Sequence, residues 1–519
     1  MPTLDFYHAH YHDLFEPLLD LMRTGVRIDT SEAARIRATL LDECAELRGV
    51  LDEITEANTC VCACPPGTHV ETDAPLALTK AGKPRKRQPK ALWPCEVCDC
   101  TNFTPRGYSI FGENDLSSQK VIRYLYTTLG LPKRRMRGEE GLSANEVILR
   151  KLRILIEAWI DQPKGPAKRL WQREPEQAAR ALSALLTHRE LAKLATFVQP
   201  SALDDDGRLR CTFLFTTITG RLAARRNPYD TGMNLQTIPR PRKGIPNLRS
   251  IFLPERGHVW LEVDYSQGES RLVDVLTGDP AFIARANARP GAFDGHTFQA
   301  RRIFACVLGI PESEVEVTKD RRQLAKPVKH GSNYGAHGKT MSDTLLKEGV
   351  ILSPRACDNM INAAKERPIE AWKASVRKRV MRDRMLTTSW GRELHFTYDR
   401  LNDDTYRRAY AFQPQSELGD DLNQMGLIPL YNFILSEGLT SRIRLAVHDS
   451  LLVSCPPEEV HLIASFLKQS MERERLVNGH PLIIPIEYKL GSTWACEKEF
   501  KELPNEDELF AAAKEVLRA

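Results

Sequence analysis

Two apolar runs far apart in the chain are each interrupted by a carboxylate, and any fold of this sequence has to accommodate both. His258 to Arg271 reads HVWLEVDYSQGESR, and Arg444 to Ser454 reads RLAVHDSLLVS. Both have the aliphatic and β-branched content of buried strands; Asp264 ends the first, while His448 and Asp449 break the second. A buried carboxylate without a partner is costly, so each must be protonated, ion-paired or bound to a cation. If the two strands lie side by side, Asp264 and Asp449 come close enough to share divalent metal ions. Hard oxygen ligands suit magnesium, which keeps waters and takes substrate phosphates as its further ligands. Two magnesium ions held in this way form the arrangement used for in-line phosphoryl transfer. Taken singly, either aspartate also fits an ordinary strand end or turn.

A third segment favours the metal reading. In RRQLAKPVKHGSNYG, Arg322, Lys326, His330 and Tyr334 recur every fourth residue. On a helix this spacing drifts by only about 40° per step, which leaves all four on one face. Guanidinium and ammonium groups on such a face suit a triphosphate, and the rings suit its base and sugar. A solvated basic face is the plainer reading of the same pattern. Pro327 falls inside this helix, where it removes a backbone hydrogen bond. The net charge of +5 does not by itself identify a nucleic-acid binder, but basic residues cluster at 80–90, 133–137 and 221–249. Such patches are able to track phosphates.

The length of 519 residues exceeds what one hydrophobic core organises, so two or three lobes are expected. Helical spacing predicts two helices between Tyr11 and Leu51, broken at Gly25 and restarted at Asp29-Thr30-Ser31, and more helix from Ser117 to Phe197. Beyond residue 201, strand-like runs occur at Leu209 to Phe215, Ser250 to Leu253, His258 to Asp264, Arg444 to Cys455 and Leu482 to Tyr488. A mostly helical block from Gly268 to Arg379 interrupts them. The result is an α+β arrangement with a cleft between its parts. No apolar run is long enough for a membrane span, and MPTLDFYHAHYHDLF lacks the features of a signal peptide, which predicts a cytoplasmic location.

Six of the twelve cysteines crowd into one stretch: Cys60, Cys62, Cys64, Cys95, Cys98 and Cys100. In a reducing compartment this crowding points to thiolate ligands of a structural zinc ion. The expected four are Cys62, Cys64, Cys95 and Cys98, with Cys60, His69 and Cys100 as alternatives. Cys44, Cys211, Cys306, Cys357, Cys455 and Cys496 are scattered and read as core fillers.

In order and separation, the three chemical segments resemble motifs A, B and C of the family A DNA polymerases, the bacterial DNA polymerase I group and its phage relatives. DYSQxExR is matched at Asp264, Tyr265, Ser266, Gln267, Glu269 and Arg271. RxxxKxxx(aromatic)xxxYG is matched at Arg322, Lys326, Tyr334 and Gly335, with His330 at the aromatic position. VHD is matched at Val447, His448 and Asp449. TGRL at Thr219 to Leu222, NLQTIP at Asn234 to Pro239 and DGHT at Asp294 to Thr297 are similar to further family segments, and RTGVRID resembles the entry to the family's thumb.

The resemblance implies a right-hand polymerase architecture: helical thumb, antiparallel-sheet palm and helical fingers. Residues 1–200 would form the N-terminal helices and thumb with a cysteine-rich insert at about 58–104, residues 201–267 and 396–519 the palm, and 268–395 the fingers. It further implies a DNA-directed DNA polymerase acting on primer-template DNA and deoxynucleoside triphosphates, monomeric, with processivity or replisome proteins as further partners. Asp264, Asp449 and the backbone of Tyr265 would hold magnesium. Lys326 and Arg322 would stabilise triphosphate charge, with Gln267, Glu269, His296, His330 and Tyr334 around the nucleotide and Glu269 acting as a steric gate against ribose. Arg221, Asn234, Gln236, Arg407, Gln415 and His448 would touch DNA. Ser450 stands where most members carry an acid, and His330 where they carry Phe or Tyr. No exonuclease motifs precede the thumb, so no proofreading is expected. A single-subunit polymerase using RNA template or ribonucleotides, and a catalytically silent zinc-containing nucleic-acid-binding protein, are the competing readings.

Overall fold

A computed structural model describes residues 4–57, 107, 109–112, 115–135, 140–161, 175–228, 231–242, 244–289 and 294–518. The expected zinc ligands, Cys60, Cys62, Cys64, His69, Cys95, Cys98 and Cys100, lie outside the described residues. The chain divides into two compact units, residues 1–37 with 197–519, and residues 38–196.

The larger unit is built on a five-stranded antiparallel sheet. Its strands in chain order are β1 (Val259–Tyr265), β2 (Arg442–Val447), β3 (Ser450–Cys455), β4 (Ile486–Gly491) and β5 (Lys498–Phe500), arranged in space as β5-β4-β1-β3-β2. In β1 the residues Val259, Trp260, Leu261 and Val263 are all fully buried. Helices Val460–Met471 and Glu506–Arg518 pack on the sheet, and burial on both faces explains why its inner strands read as continuous apolar runs rather than alternating ones.

Three strand expectations need correction. Arg444 to Cys455 is a hairpin of β2 and β3 rather than one broken strand. Its turn is His448-Asp449, with His448 at φ +58°, the positive φ that two-residue hairpin loops require. The run Leu482 to Tyr488 also splits, because Pro485 has no N–H to give a ladder. Leu482 belongs to a separate small hairpin, and β4 begins at Ile486. Leu209 to Phe215 likewise divides into short strands at Arg208–Leu209 and Thr212–Leu214. Among the scattered cysteines, Cys44, Cys211, Cys357 and Cys455 are buried, but Cys306 is exposed and Cys496 partly so. Cys306 lies on the outward side of an amphipathic helix, where a cysteine meets water rather than core.

Between β1 and β2 lies the expected helical block, including Gly268–Leu276, Pro280–Ala286, Gly295–Leu308, Lys319–Asn333 and Arg367–Asp383. The Lys319–Asn333 helix runs through Pro327 and buries Ala325 and Val328 against Ala300, Ile303 and Met360. Behind it runs a buried chain of charges. Arg285 grips Asp274 through Nε and Nη2, both at 2.6 Å, and reaches Glu366 at 2.7 Å; Lys329 and Gln299 donate to the other oxygen of Glu366.

At the N-terminus, Gly25 takes φ +64° and ends the Phe15–Thr24 helix, and Asp29 accepts from the amides of Ser31 and Glu32 to start the Thr30–Ile54 helix. This matches the expected break and restart. The unit of residues 38–196 is helical as expected, its core formed by residues such as Leu51, Tyr124, Leu149, Leu152 and Leu185. No helix among the described residues is long and apolar enough to cross a membrane.

Candidate active site

Asp264 is the one residue of β1 that is not fully buried. It stands opposite Ser450 on β3 and Glu487 on β4. The turn between β2 and β3 docks at the same end of β1, where the Tyr265 amide donates to the Asp449 carbonyl at 3.3 Å. The two aspartates anticipated from the sequence therefore meet, one from a strand end and one from a hairpin turn. Their environment is poor in compensation. Asp264 Oδ1 is enclosed and has no hydrogen-bond partner. Burial and the neighbouring Asp449 push the Asp264 carboxyl up to about 7, against the opposing charges of Lys489 and Arg240. Burial also raises Asp449, opposed by Arg221.

An orphaned carboxylate oxygen beside a second acid is the donor set a hard divalent cation fits. No group of three or more His, Cys, Asp or Glu suited to a metal occurs among the described residues. The remaining ligands would come from backbone, water and substrate. Ser450 adds none, since its hydroxyl donates to the Val447 carbonyl at 3.0 Å and closes the hairpin turn. Glu487 is engaged elsewhere, accepting from Ser266 Oγ and from Lys501 Nζ, each at 2.7 Å.

After β1 the chain turns sharply. Gln267 adopts a left-handed conformation, φ +56° and ψ +30°, a strained choice for a non-glycine residue that recurs at functional sites. Gly268 follows because a Cβ there would lie 2.6 Å from Leu418 Cδ1. The next residue, Glu269, accepts from the Tyr334 hydroxyl and from Arg221 Nη2 at 2.8 Å. Burial alone would raise the Glu269 carboxyl, but the bonds from Tyr334 and Arg221 outweigh it and hold the group ionised below its ordinary range.

Tyr334 sits one residue past the basic helix and continues its exposed face, so Arg322, Lys326, His330 and Tyr334 do line up, all partly exposed. Arg322 pairs with Asp294 through Nε at 2.8 Å and Nη2 at 3.1 Å. Burial, then Arg322 and Arg240, lower the Lys326 ammonium. Burial and the cations Lys326 and Arg322 bring His296 down to about 4, which makes it neutral at pH 7.

The residues expected to touch DNA are spread more widely. Arg221 is bound to Glu269. Asn234 caps a short turn by accepting from the Gln236 amide, and the Gln236 side chain donates to the carbonyls of Leu222 (2.9 Å) and Ala446 (3.1 Å). Arg407 pairs with Asp404, Gln415 is half-buried on the Asp403–Asp421 helix, and His448 is exposed at the hairpin tip. Sequence reasoning overlooked Lys489 and Arg240, and it named Asp294 within DGHT without giving it a role. Arg240 belongs to the basic cluster 221–249, a signal too diffuse to single it out, and nothing local marks Lys489.

Residues 99–496 match the family model of DNA polymerase family A. The chain belongs to that family. Among its family A relatives, DNA polymerase I of Caldicellulosiruptor bescii is 28% identical over 60% of this chain and 35% of the relative. The thermostable DNA polymerase I of Thermus aquaticus is 27% identical over 61% of this chain and 36% of its own length. The chain thus spans little more than a third of these curated relatives. In fold it is similar to the polymerase domain of Pol1 from M. smegmatis, solved with DNA primer-template and dNTP, with TM-score 0.67, 19% identity, and coverage of 94% of this chain and 70% of that one. The α+β polymerase fold expected from the family A motifs is the fold observed.

Proposed function

We propose that this chain is a template-directed DNA polymerase that extends a DNA primer with deoxynucleoside triphosphates, with Asp264 and Asp449 as its magnesium ligands. The single observation that supports this most is the pairing of two inadequately neutralised carboxylates, one with an orphan oxygen, in the unit that carries the Arg322–Tyr334 face. When bound, a magnesium pair would activate the primer hydroxyl and offset charge on the leaving pyrophosphate. Asp264, Asp449 and the Tyr265 backbone would hold it.

The protein's own side chains do the positioning. Arg322 and Lys326 stabilise charge on the triphosphate, and neutral His296 offers a hydrogen bond without competing for a proton. Gln267, His330 and Tyr334 border the nucleotide. Glu269, fixed from both sides by Tyr334 and Arg221, is a rigid body at the place where a ribose 2′-hydroxyl would intrude, and so favours deoxynucleotides. Arg221, Asn234, Gln236, Arg407, Gln415 and His448 contact the primer-template. Residues 1–200 act as the N-terminal helices and thumb, 201–267 and 396–519 as the palm, and 268–395 as the fingers. The cysteine spacing supports a structural zinc at Cys62, Cys64, Cys95 and Cys98.

Primer extension with magnesium, run in parallel with deoxy- and ribonucleotides and with zinc analysis of the same preparation, tests the reading. Deoxynucleotide incorporation supports it. No incorporation with magnesium or manganese, or preference for ribonucleotides, overturns it.

A further inference from the structure

We infer that Asp294 is a positioning residue that aims Arg322 and His296 together at the triphosphate, an inference that rests on the polymerase reading above. One carboxylate serves five donors. Its Oδ1 accepts from the amides of His296 (3.1 Å) and Thr297 (3.2 Å) and from Arg322 Nη2 (3.1 Å). Its Oδ2 accepts from Thr297 Oγ1 (2.7 Å) and Arg322 Nε (2.8 Å). Asp294 is thus the N-cap of the Gly295–Leu308 helix and, at once, the partner of a guanidinium carried by the Lys319–Asn333 helix. Two helices that each present a group to the nucleotide are registered against each other by a single side chain.

The side-on grip engages Nε and one Nη of Arg322 and leaves Nη1 outside the pair. An arginine free in solution loses rotamer entropy when it is fixed. Holding the guanidinium in place beforehand removes part of that cost from the binding step. The carboxylate also carries a negative charge that opposes a triphosphate. If that repulsion dominated, Asp294 would be a competitor for Arg322 rather than its guide, and the two roles predict opposite changes in nucleotide affinity.

Asp294→Asn separates capping from charge, because asparagine caps helices as well as aspartate does but makes no ion pair with Arg322. Asp294→Ser, which also keeps a capping oxygen, serves as a second variant if the first does not fold. In steady-state single-nucleotide incorporation, the expected result is a KM for the deoxynucleotide raised about tenfold, kcat changed less than about threefold, and a melting temperature close to wild type. Adding Arg322→Ala to Asp294→Asn should then cost no more than Arg322→Ala alone, since the effect runs through that arginine. An unchanged or lowered KM, or fully additive losses, overturns the inference while leaving the polymerase reading intact. A wild-type protein that incorporates nothing overturns both.

Discussion

The larger unit buries carboxylates in two very different ways. In the helical block, Glu366 and Asp274 are enclosed, yet every oxygen has a cationic or amide partner from Arg285, Lys329 or Gln299. Although burial would raise it, the charge of Lys329 and the bond from Arg285 hold Glu366 below the ordinary carboxylate range. At the end of β1, burial pushes Asp264 and Asp449 upward, as it does Asp274, but here one carboxylate oxygen has no partner at all. A protein that pairs every oxygen of two buried acids in one place leaves a carboxylate oxygen orphaned in another. On the proposed reading, the Asp264–Asp449 pair is kept for a charge that arrives from outside, while the satisfied network holds the surrounding helices in place.

The sharpest way to break this contrast is to remove a charge on each side. Asp449→Asn should lower incorporation by about a thousandfold or more, the equivalent of several kcal/mol of metal-assisted stabilisation. Incorporation within tenfold of wild type would show that the pair does not hold the metals. Arg285→Met should have the opposite character, since it strands Asp274 and half of Glu366. A loss of about 3 kcal/mol in urea unfolding is expected; an unchanged midpoint would mean the network contributes no stability.

Glu269 lies between the two cases, an acid paired on both oxygens in the unit that leaves Asp264 Oδ1 without a partner. Glu269→Ala should relax deoxy-over-ribo discrimination by about tenfold, the scale on which a small steric difference is read. Competition between the two nucleotides in one reaction measures it, and undiminished discrimination would move the gate elsewhere.

The smallest effect concerns protons. The folded state raises the Asp264 carboxyl to about 7, so between the ordinary carboxylate range and about pH 7 the native protein binds more protons than the unfolded chain. Metal-free protein should therefore lose stability as pH rises through that window. Asp264→Asn should flatten the dependence and melt higher than wild type at pH 8. Identical pH profiles for the two proteins would contradict the assignment.

Much of the candidate site was legible because its signals are local. The apolar content of β1, the fourfold spacing of Arg322, Lys326, His330 and Tyr334, and the Asp29 cap are each set by a handful of neighbouring residues, through burial and helical geometry. The hairpin at His448-Asp449 was misread as a strand because its flanks are equally apolar and the turn residues are not glycine. Cys306 was misplaced because composition does not say which side of a helix faces water.

What the amino-acid order determined by itself was which side chains share a face and where helices and apolar strands lie, since periodicity fixes those within a turn or two of chain. Only tertiary structure decided that Ser450 stands across from Asp264, that Asp294 grips Arg322, and that Arg285 satisfies Asp274 and Glu366. Those contacts join segments brought together by packing of the whole unit, and no local pattern encodes a partner chosen by the shape of the core.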